Sequence, residues 1–278
     1  MLNQSRLLTY ISQDKKFALY FLEGQQLIHD LVLMHNLKAG GFSCFRSAVL
    51  SVQLMLGLLK HGEYFCFYVD SESPYFRLKI EMNTNGLMRG MLYSDEPHLA
   101  AESITGRVRL VKFLPHAETP YQSTIELQGV GMDDIINRVL SQSYQVNSRI
   151  FVSEDSDQSF MLHQLPLSSS EEPTDLMAAF EETVFPLKAV MSKGLTDPKG
   201  IQAELQEIGF KYLAERPVRF ACGCSKEQMI ENVKKFVRTS GENLFSPDKE
   251  VLEVVCEYCK TAYQVTEKDL GEHASVYH

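Results

Sequence analysis

The sequence predicts an α+β protein, with a large N-terminal domain of mainly antiparallel sheet and packed helices, a helical linker and a small C-terminal module. Short segments rich in aromatic and β-branched residues follow one another between about residues 64 and 128. A stretch bearing Ser, Glu and Pro interrupts the chain near residue 170, and four of the six cysteines form two close pairs near the C-terminus. These observations predict a core domain over 1–170, a linker over 171–218 and a module over 219–278.

The core domain is predicted to contain a helix followed by a run of strands. In CFRSAVLSVQLMLGLLK, residues 44–60, apolar residues recur at helical spacing, and Gly62 follows as a stop signal. The strands are YFCFYVD, YFRLKIEM, LMRGMLY, RVRLVKF and QSTIELQ, separated by turn residues. Connections this short leave no room for crossover helices, so the sheet is predicted to be antiparallel.

A second helix and two further strands complete the predicted core domain. The segment MDDIINRVLSQS places Asp133 and Asp134 in the first helical turn, where they complement the helix dipole, and its apolar residues fall on one face. NSRIFVS and SFMLHQLP follow as strands.

The predicted linker has an apolar helical stripe that Pro and Gly repeatedly interrupt. The interrupting residues are Pro186, Gly194, Pro198, Gly200, Gly209 and Pro217. A helical region of this kind cannot be stable alone, so we expect it to be metastable and to depend on packing against a neighbour.

Composition and charge restrict the classes of partner. Hydrophobic residues make up 44% of the chain and charged residues 23%, as in ordinary globular proteins. The formal net charge of -9 repels phosphate backbones and anionic lipid, so neither nucleic acid nor a membrane is an expected partner. The N-terminus has no signal-peptide pattern, and no later segment approaches eighteen apolar residues. We expect a cytoplasmic protein.

The clustered cysteines predict a metal site. Cys222 and Cys224 form a C-x-C pair, and Cys256 and Cys259 form a C-x-x-C pair. In a reducing cytoplasm, such clusters are more often metal ligands or redox groups than structural disulfides. Two short pairs can supply four thiolates at tetrahedral corners, which is the ligand set of a closed zinc site. One Zn²⁺ is therefore the expected cofactor.

The other cysteines and the C-terminal histidines are not predicted to be ligands. Cys44 and Cys66 stand singly in apolar surroundings, so each is expected to be a buried hydrophobic residue. His273 and His278 are expected to be exposed to solvent, since four cysteines already complete the site.

The module around these cysteines is predicted to contain a helix, a hairpin and a last short helix. Ser225 and Gln228 form a capping box before an apolar helical stripe, and Thr266 is placed to cap EKDL. VLEVV and TAYQV flank the second cysteine pair as a hairpin. So small a module is marginal without a cross-link, and bound metal would supply the missing free energy.

Three functions fit these residues. Zinc could be purely structural in a constitutive protein-interaction module, or oxidation of the thiolates within each pair could release the metal and unfold the module. A thiol–disulfide oxidoreductase using Cys256 and Cys259 is disfavoured, because a catalytic C-x-x-C pair normally sits at a helix N-terminus whereas this pair lies between strand patterns. The residues alone leave the first two readings open.

The chain resembles the thirty-three-kilodalton heat-shock protein family of bacterial redox-regulated holdase chaperones. The features that carry the resemblance are the spacing of the cysteine pairs, Ser225 and Glu227 after the first pair, and CEYCKTAY around the second. Upstream, LMRGML, PYQSTIEL, the later Ser143, Gln145 and Arg149, and FMLHQLP fall in the family's order. The resemblance therefore extends over most of the chain.

This resemblance implies a specific function. The reduced form would hold zinc through the four cysteines and be inactive. Oxidants with unfolding stress would form the disulfides Cys222–Cys224 and Cys256–Cys259, release zinc and unfold the module and linker. The exposed apolar surface would bind unfolding client proteins without ATP and without enzymatic activity, and the oxidised active form would be a homodimer. The chain departs from the family's usual residues at Tyr144, Asn147, Gln158 and Ser159.

Overall fold

The computed structural model of the protein describes residues 2–37, 39–94, 99, 102–166, 173–242, 244–245 and 250–271. The chain forms two compact units, unit 1 (Met1–Phe220) and unit 2 (Ala221–His278). Both contain helices and antiparallel strands, which confirms the predicted α+β class.

Unit 1 contains helices before and after a run of five consecutive strands. Along the chain they are β1 (Arg6–Ser12), β2 (Phe17–Glu23), α1 (Gln25–His35), α2 (Ala39–Gln53), β3 (Tyr64–Ser73), β4 (Phe76–Asn83), β5 (Leu87–Tyr93), β6 (Ile104–Phe113), β7 (Tyr121–Val130), α3 (Met132–Val139), β8 (Ser148–Val152), β9 (Gln158–Gln164), α4 (Pro173–Ser192), α5 (Pro198–Glu207), β10 (Phe210–Pro217) and β11 (Arg219–Phe220). A 3₁₀ turn, Leu54–Leu58, continues α2, and a π turn, Leu140–Tyr144, continues α3.

Two sheets organise unit 1. The five-stranded sheet has the order β10-β1-β2-β9-β8, and the six-stranded sheet has the order β11-β5-β4-β3-β6-β7. All the pairings are antiparallel except that of β11 with β5, which is parallel. The prediction of strands over 64–128 in an antiparallel sheet is thus confirmed.

The main core of unit 1 lies between helix α2 and its neighbours. Phe45, Val49 and Val52 of α2 are buried, on the face that the sequence predicts. Alternate residues of β6 point into the same core, so the period of two along that strand matches its burial. The predicted helix begins earlier than expected, at Ala39, and its last turn is the 3₁₀ turn.

Among the described residues, one helical run, Gly40–Leu58, is long and apolar enough to cross a membrane by length and composition alone. The sequence is predicted to contain no segment that approaches eighteen apolar residues, and this run comes nearer to one than that prediction allows. The most apolar part of this run is 61% buried inside unit 1. Packing in the core therefore accounts for its apolar character.

The first elements of the chain are absent from the sequence predictions, which assign nothing before residue 44. β1 and β2 pair along their whole length, and α1 follows them directly. β2 is buried at six of its seven positions because both faces of the sheet are covered. Its sequence, FALYFLE, is accordingly a nearly continuous apolar run.

The prediction of a helical linker over 171–218 holds for its helices but not for its last part. Helix α4 passes through Pro186 without ending there, and α5 begins at Pro198, where a proline at the first helical turn is compatible with a helix. After Gly209, which has a φ of 90°, the chain turns and forms a strand, β10, at the edge of the five-stranded sheet. The helical prediction over the last part of 171–218 is therefore wrong. The predicted core–linker boundary near 170 lies outside the described residues.

Unit 2 contains the predicted helix, hairpin and short last helix. These are α6 (Lys226–Ser240), β12 (Val251–Val255), β13 (Ala262–Thr266) and α7 (Glu267–Leu270). Ser225 accepts a hydrogen bond from the Gln228 N–H at the start of α6, at 3.3 Å. At α7, the N–H and hydroxyl of Thr266 both donate to the Asp269 carboxylate. Both helix starts therefore fall at the predicted residues.

Candidate metal centre

Two turns of unit 2 carry the four predicted ligands. Cys222 and Cys224 precede α6, whose N-cap is the next residue, Ser225. Cys256 and Cys259 lie in the turn that joins β12 to β13, and antiparallel pairing of Val255 with Ala262 closes this turn. The C-x-x-C pair is therefore part of a hairpin turn and does not begin a helix, unlike the cysteine pair of a typical oxidoreductase.

The sulfurs of these turns form one compact cluster. All four Sγ atoms lie within 4.8 Å of one another. Cys222 Sγ is 3.8 Å from Cys256 Sγ, and Cys224 Sγ is 3.3 Å from Cys259 Sγ. Zinc–sulfur bonds of about 2.3 Å at tetrahedral angles place neighbouring sulfurs roughly 3.8 Å apart. The donor atoms and their spacing thus fit a tetrahedral metal ion bound by four thiolates, and this ligand set leaves no open position for a substrate.

Backbone hydrogen bonds hold the hairpin turn in shape. The Cys256 N–H donates to Thr261 O at 2.9 Å, and the Lys260 N–H donates to Cys256 O at 2.8 Å. Lys260 has a φ of 57°, in the left-handed region. These bonds direct both sulfurs of the turn to the same side, so the second pair is positioned by its own backbone.

Two hydroxyl groups contact the sulfurs. Tyr263 Oη lies 3.1 Å from Cys224 Sγ and also donates to the Cys224 carbonyl oxygen, at 3.2 Å. Thr261 Oγ1 lies 3.2 Å from Cys259 Sγ. Contacts of this kind orient metal ligands.

The surroundings of each sulfur determine its proton affinity. Burial is the main cause that raises the pKa of Cys224 to about 12, and burial also raises the pKa of Cys256. Burial acts in the same direction at Cys259, but hydrogen bonds with the hydroxyl and N–H of Thr261, and then with the side chains of Cys224 and Cys256, outweigh it and lower the pKa to about 6. Cys259 is therefore a thiolate at neutral pH, whereas a bound cation would have to displace the protons of Cys224 and Cys256.

The apolar core of unit 2 is small. Among the described residues it consists of Val233, Phe245, Val265 and Leu270, with partly buried apolar neighbours. A core of four buried side chains supplies little of the free energy that folding requires. A metal cross-link between the two turns would supply the remainder.

The comparisons with known proteins identify the family. The family model described as Hsp33 protein matches residues 5–266. The chain belongs to the Hsp33 protein family. This family of heat-shock chaperones includes the 33 kDa chaperonin of Latilactobacillus sakei, 25% identical over 95% of this chain and 96% of its own length. The 33 kDa chaperonin of Citrifermentans bemidjiense is 26% identical over 78% of this chain and 79% of its own length.

A solved Hsp33 structure has the same fold. The crystal structure of the 33 kDa chaperonin from Thermotoga maritima matches with a TM-score of 0.71, and the match covers 96% of this chain and 97% of that one. Sequence identity is 16%. The architecture of Hsp33 proteins is thus preserved although most side chains differ.

The two remaining cysteines of this Hsp33 protein belong to unit 1. Cys44 on α2 and Cys66 on β3 are both buried, as predicted. Burial is the first cause that raises the pKa of Cys44 to about 12 and that of Cys66 to about 11. Both are neutral thiols at physiological pH, which makes them unreactive. His273 and His278 lie outside the described residues.

The four departures from the usual Hsp33 pattern all belong to unit 1 and make contacts within it; Asn147 is exposed at its surface. Gln158 and Ser159 are buried on β9: the Gln158 amide donates to the Leu195 carbonyl, and the Ser159 hydroxyl donates to Leu50 O at 2.8 Å. The Asn147 amide donates to Gln164 at 3.1 Å, and the Tyr144 ring packs against the main core. These side chains act in packing and hydrogen bonding within the unit.

A second candidate surface in this Hsp33 protein has no counterpart in the sequence predictions. One face of the five-stranded sheet, called the covered face here, consists of Leu8, Tyr10, Phe17, Leu19, Phe21, Phe160 and Leu162. Helices α4 and α5, the covering layer, pack on it through Val184, Leu187, Val190, Met191, Ile201 and Leu205. The apolar residues of RLLTYIS and FALYFLE are the signal that could have predicted the strands of this face, though not their assembly.

Proposed function

We propose that this Hsp33 protein is an ATP-independent holdase chaperone that oxidation activates. In the reduced protein, Cys222, Cys224, Cys256 and Cys259 bind one Zn²⁺ as thiolates. The observation that carries the proposal is the cluster of four sulfurs within 4.8 Å, in a unit with a core of four buried side chains. Bound Zn²⁺ supplies the cross-link between the two turns and keeps unit 2 folded.

Oxidation would convert the metal ligands into two disulfides. The two thiolates of each pair give up two electrons and form one S–S bond, Cys222–Cys224 or Cys256–Cys259. One peroxide molecule per disulfide takes up the two electrons and two protons and leaves as two water molecules. All the sulfurs are close enough for several pairings, so this choice of pairs rests on the family resemblance. A disulfide across so short a loop is strained and readily reduced, which makes the change reversible.

Loss of the ligands would unfold unit 2 and then release the covering layer. Unit 2 begins at Ala221, directly after β11, and the covering layer ends at Glu207, so that β10 and β11 lie between them in the chain. α4 contains Pro186, and the exposed Phe185 lies beside it, so the helix is weakly stabilised by its own sequence. The linker is thus metastable, and its release would expose the covered face.

The covered face supplies the surface for client proteins. Its aromatic and aliphatic side chains form a continuous apolar area on a rigid sheet, and unfolding proteins expose apolar segments that would pack on it. The protein is accordingly a non-enzymatic chaperone of the cytoplasm, and its oxidised form is a homodimer. Neither nucleic acid nor a membrane is a partner, in accordance with the net charge of -9.

The test of this function compares the reduced, zinc-loaded protein with the same protein after peroxide treatment at elevated temperature. We expect oxidation to remove four thiols, release one zinc and produce suppression of aggregation of a heat-unfolding client. Peptide mapping by mass spectrometry would identify the disulfides.

Full activity of the reduced protein would instead support the alternative, a constitutive interaction protein whose zinc is structural. Release of metal without a gain of activity would also contradict the switch. Both outcomes can be read from the same samples.

A further inference from the structure

The outer face of the six-stranded sheet, called the open face here, carries charged side chains that the proposed function does not use. On β3, β4 and β6, one set of alternate side chains belongs to the main core, and the other set points to the opposite face. Lys79 and Arg109 are exposed on that face, and Tyr68 between them is half-buried. The central strands of the sheet therefore present cations to solvent.

The strand register places these three side chains in a line across the sheet. Tyr68 on β3 lies directly opposite Lys79 on β4 and Arg109 on β6. The Arg109 guanidinium lies over the Tyr68 ring, 5.0 Å from its centroid, and this cation–π contact holds the cation in place. The line, called the basic row here, continues to Met91 on β5 and Thr124 on β7. It therefore contains no acidic residue.

The cations on either side of the basic row are paired within the sheet. Arg77 forms an ion pair with Asp70 at 3.3 Å, and Arg89 forms one with Glu81 at 2.6 Å. The acidic partners lie directly opposite these arginines in the strand register, as cross-strand pairs of opposite charge commonly do. These four residues neutralise one another and leave the basic row without an acid to pair with.

Three cations of the open face remain unneutralised. Lys79, Arg109 and the exposed Arg107 form no ion pair with any residue in the described part of the chain. Glu126 on β7 lies opposite Arg107 in the register, but the two do not form an ion pair. Unpaired cations gathered on one flat surface stand out on a chain with a net charge of -9.

The chemistry of the open face favours an acidic peptide segment as its occupant. An extended peptide places alternate side chains on one side about 7 Å apart, a spacing that long lysine and arginine side chains can follow. Such a segment needs only a few carboxylates to match the free cations. A nucleic acid carries a phosphate at every residue, so most of its charge would meet the repulsive field of the acidic chain.

We propose that the open face binds acidic segments of other proteins through Lys79, Arg107 and Arg109, with Tyr68 positioning Arg109. The open face is exposed in the structure, so this binding does not require release of the covering layer. That the bound segments belong to clients rests on the proposed function. A client with an acidic segment near an apolar one would then be held at both faces, and acidic clients would be favoured.

The test compares two double variants of the full-length, reduced and zinc-loaded protein. Lys79→Gln with Arg109→Gln removes both cations of the basic row. Lys199→Gln with Lys211→Gln is the matched control, because it removes the same charge from exposed positions on α5 and β10. The probe is a labelled peptide of about ten residues in which Glu alternates with Ser, and fluorescence anisotropy measures its affinity. We expect roughly tenfold weaker binding in the first variant and near wild-type binding in the control.

NMR of the wild-type protein locates the peptide. Shifts should be concentrated in the backbone amides of β3, β4 and β6, and a peptide with Gln in place of every Glu should cause none. Equal weakening by both double variants would overturn the inference, since it would show that only the overall charge matters. Tighter binding of an oligouridylate at the same amides would also overturn it, because the occupant would then be a nucleic acid.

A second experiment connects the open face to clients. After peroxide treatment, we expect the wild type to suppress aggregation of a client with an appended acidic segment at a lower concentration than for the same client with a neutral segment. Lys79→Gln with Arg109→Gln should abolish this preference, and a preference that survived would contradict the role in client choice. A wild type that gains no activity on oxidation would refute the proposed function only, because peptide binding is measured without oxidant.

Discussion

Unit 1 buries its two cysteines among apolar side chains, whereas unit 2 gathers its four sulfurs within 4.8 Å of one another. Cys66 has a pKa raised to about 11 by burial, while Cys259, beside Thr261, has one lowered to about 6. The same residue type is therefore a buried hydrophobic group in one unit and part of a cluster that could hold a metal ion in the other. Unit 1 depends on side-chain packing, and we propose that unit 2, with its small core, depends on its thiolates.

Removing one of the four cysteines should have the largest effect that distinguishes unit 2 from unit 1. We expect Cys256→Ser to lose tight zinc binding and to leave unit 2 unfolded, because structural zinc contributes on the order of 10 kcal/mol to modules of this kind. Unit 1 should keep its fold. Zinc affinity by chelator competition, together with NMR of the hairpin and α6, measures both effects.

Cys66→Ala is the matched control in unit 1. It should cost about 1 kcal/mol of stability and leave the zinc content unchanged. A Cys256→Ser protein that kept tight zinc and a folded unit 2 would contradict the ligand assignment.

Within unit 1, the covering layer should open more readily than the main core. Leu205 on α5 is fully buried against the covered face. Leu205→Ala should cost about 2–5 kcal/mol, because it removes buried methyl groups and leaves a cavity. The loss should appear as faster hydrogen exchange in α4 and α5 and as binding of a hydrophobic dye by the reduced protein.

Leu54→Ala is the comparison for that experiment, since Leu54 is equally buried but lies in the main core. It should lower the stability of the whole unit without selective opening of α4 and α5. If both variants opened the same elements, the covering layer would not be a separately released part of unit 1.

Unit 1 should also differ from unit 2 in its response to pH, through Glu23. This carboxyl group is buried at the end of β2, and burial raises its pKa to about 7, although the Gln25 N–H donates to it and acts in the opposite direction. A raised carboxyl pKa means that stability is fully present below about pH 4.5 and is lost as the pH rises through 7.

Glu23→Gln removes this pH dependence. The variant should be more stable than the wild type at pH 8 by up to roughly 3 kcal/mol and equal to it at pH 4. Denaturant unfolding of unit 1 at the two pH values measures the difference. An equal effect of the substitution at both pH values would show that packing, and not ionisation, is responsible.

The smallest predicted effect concerns the helix that follows the first cysteine pair. Ser225→Ala removes the N-cap of α6 and should cost about 1 kcal/mol. Since folding of unit 2 is coupled to metal binding, this loss should appear as a zinc affinity about fivefold lower. Ser240→Ala, at the other end of α6, should leave the affinity unchanged.

Local features of the chain could be predicted from the sequence better than contacts between segments that are far apart in it. The cysteine pairs, the hairpin between them and the helix starts at Ser225 and Thr266 could be recognised because their signals lie within a few residues. The strands of the six-stranded sheet were recognised for the same reason. Their turns contain Pro, Gly and Asn, and most consecutive strands pair with each other, the exception being β5 and β6.

The five-stranded sheet was largely missed because its pairings join distant parts of the chain. β10 pairs with β1 about 200 residues away, and its exposed, charged sequence FKYLAERP has no strand period of its own. β2 pairs with β9, far along the chain. The covered face could not be predicted as one surface, since it depends on which strands come together in space.

Hydrogen exchange of the whole chain before and after peroxide treatment tests the contrast between the two units most directly. Loss of four thiols and of zinc should coincide with loss of protection in unit 2 and in α4 and α5, while β3 to β7 keep their protection. The same sample should then suppress aggregation of an unfolding client. Oxidation that released zinc and left α4 and α5 protected in an active sample would contradict release of the covering layer as the activating step.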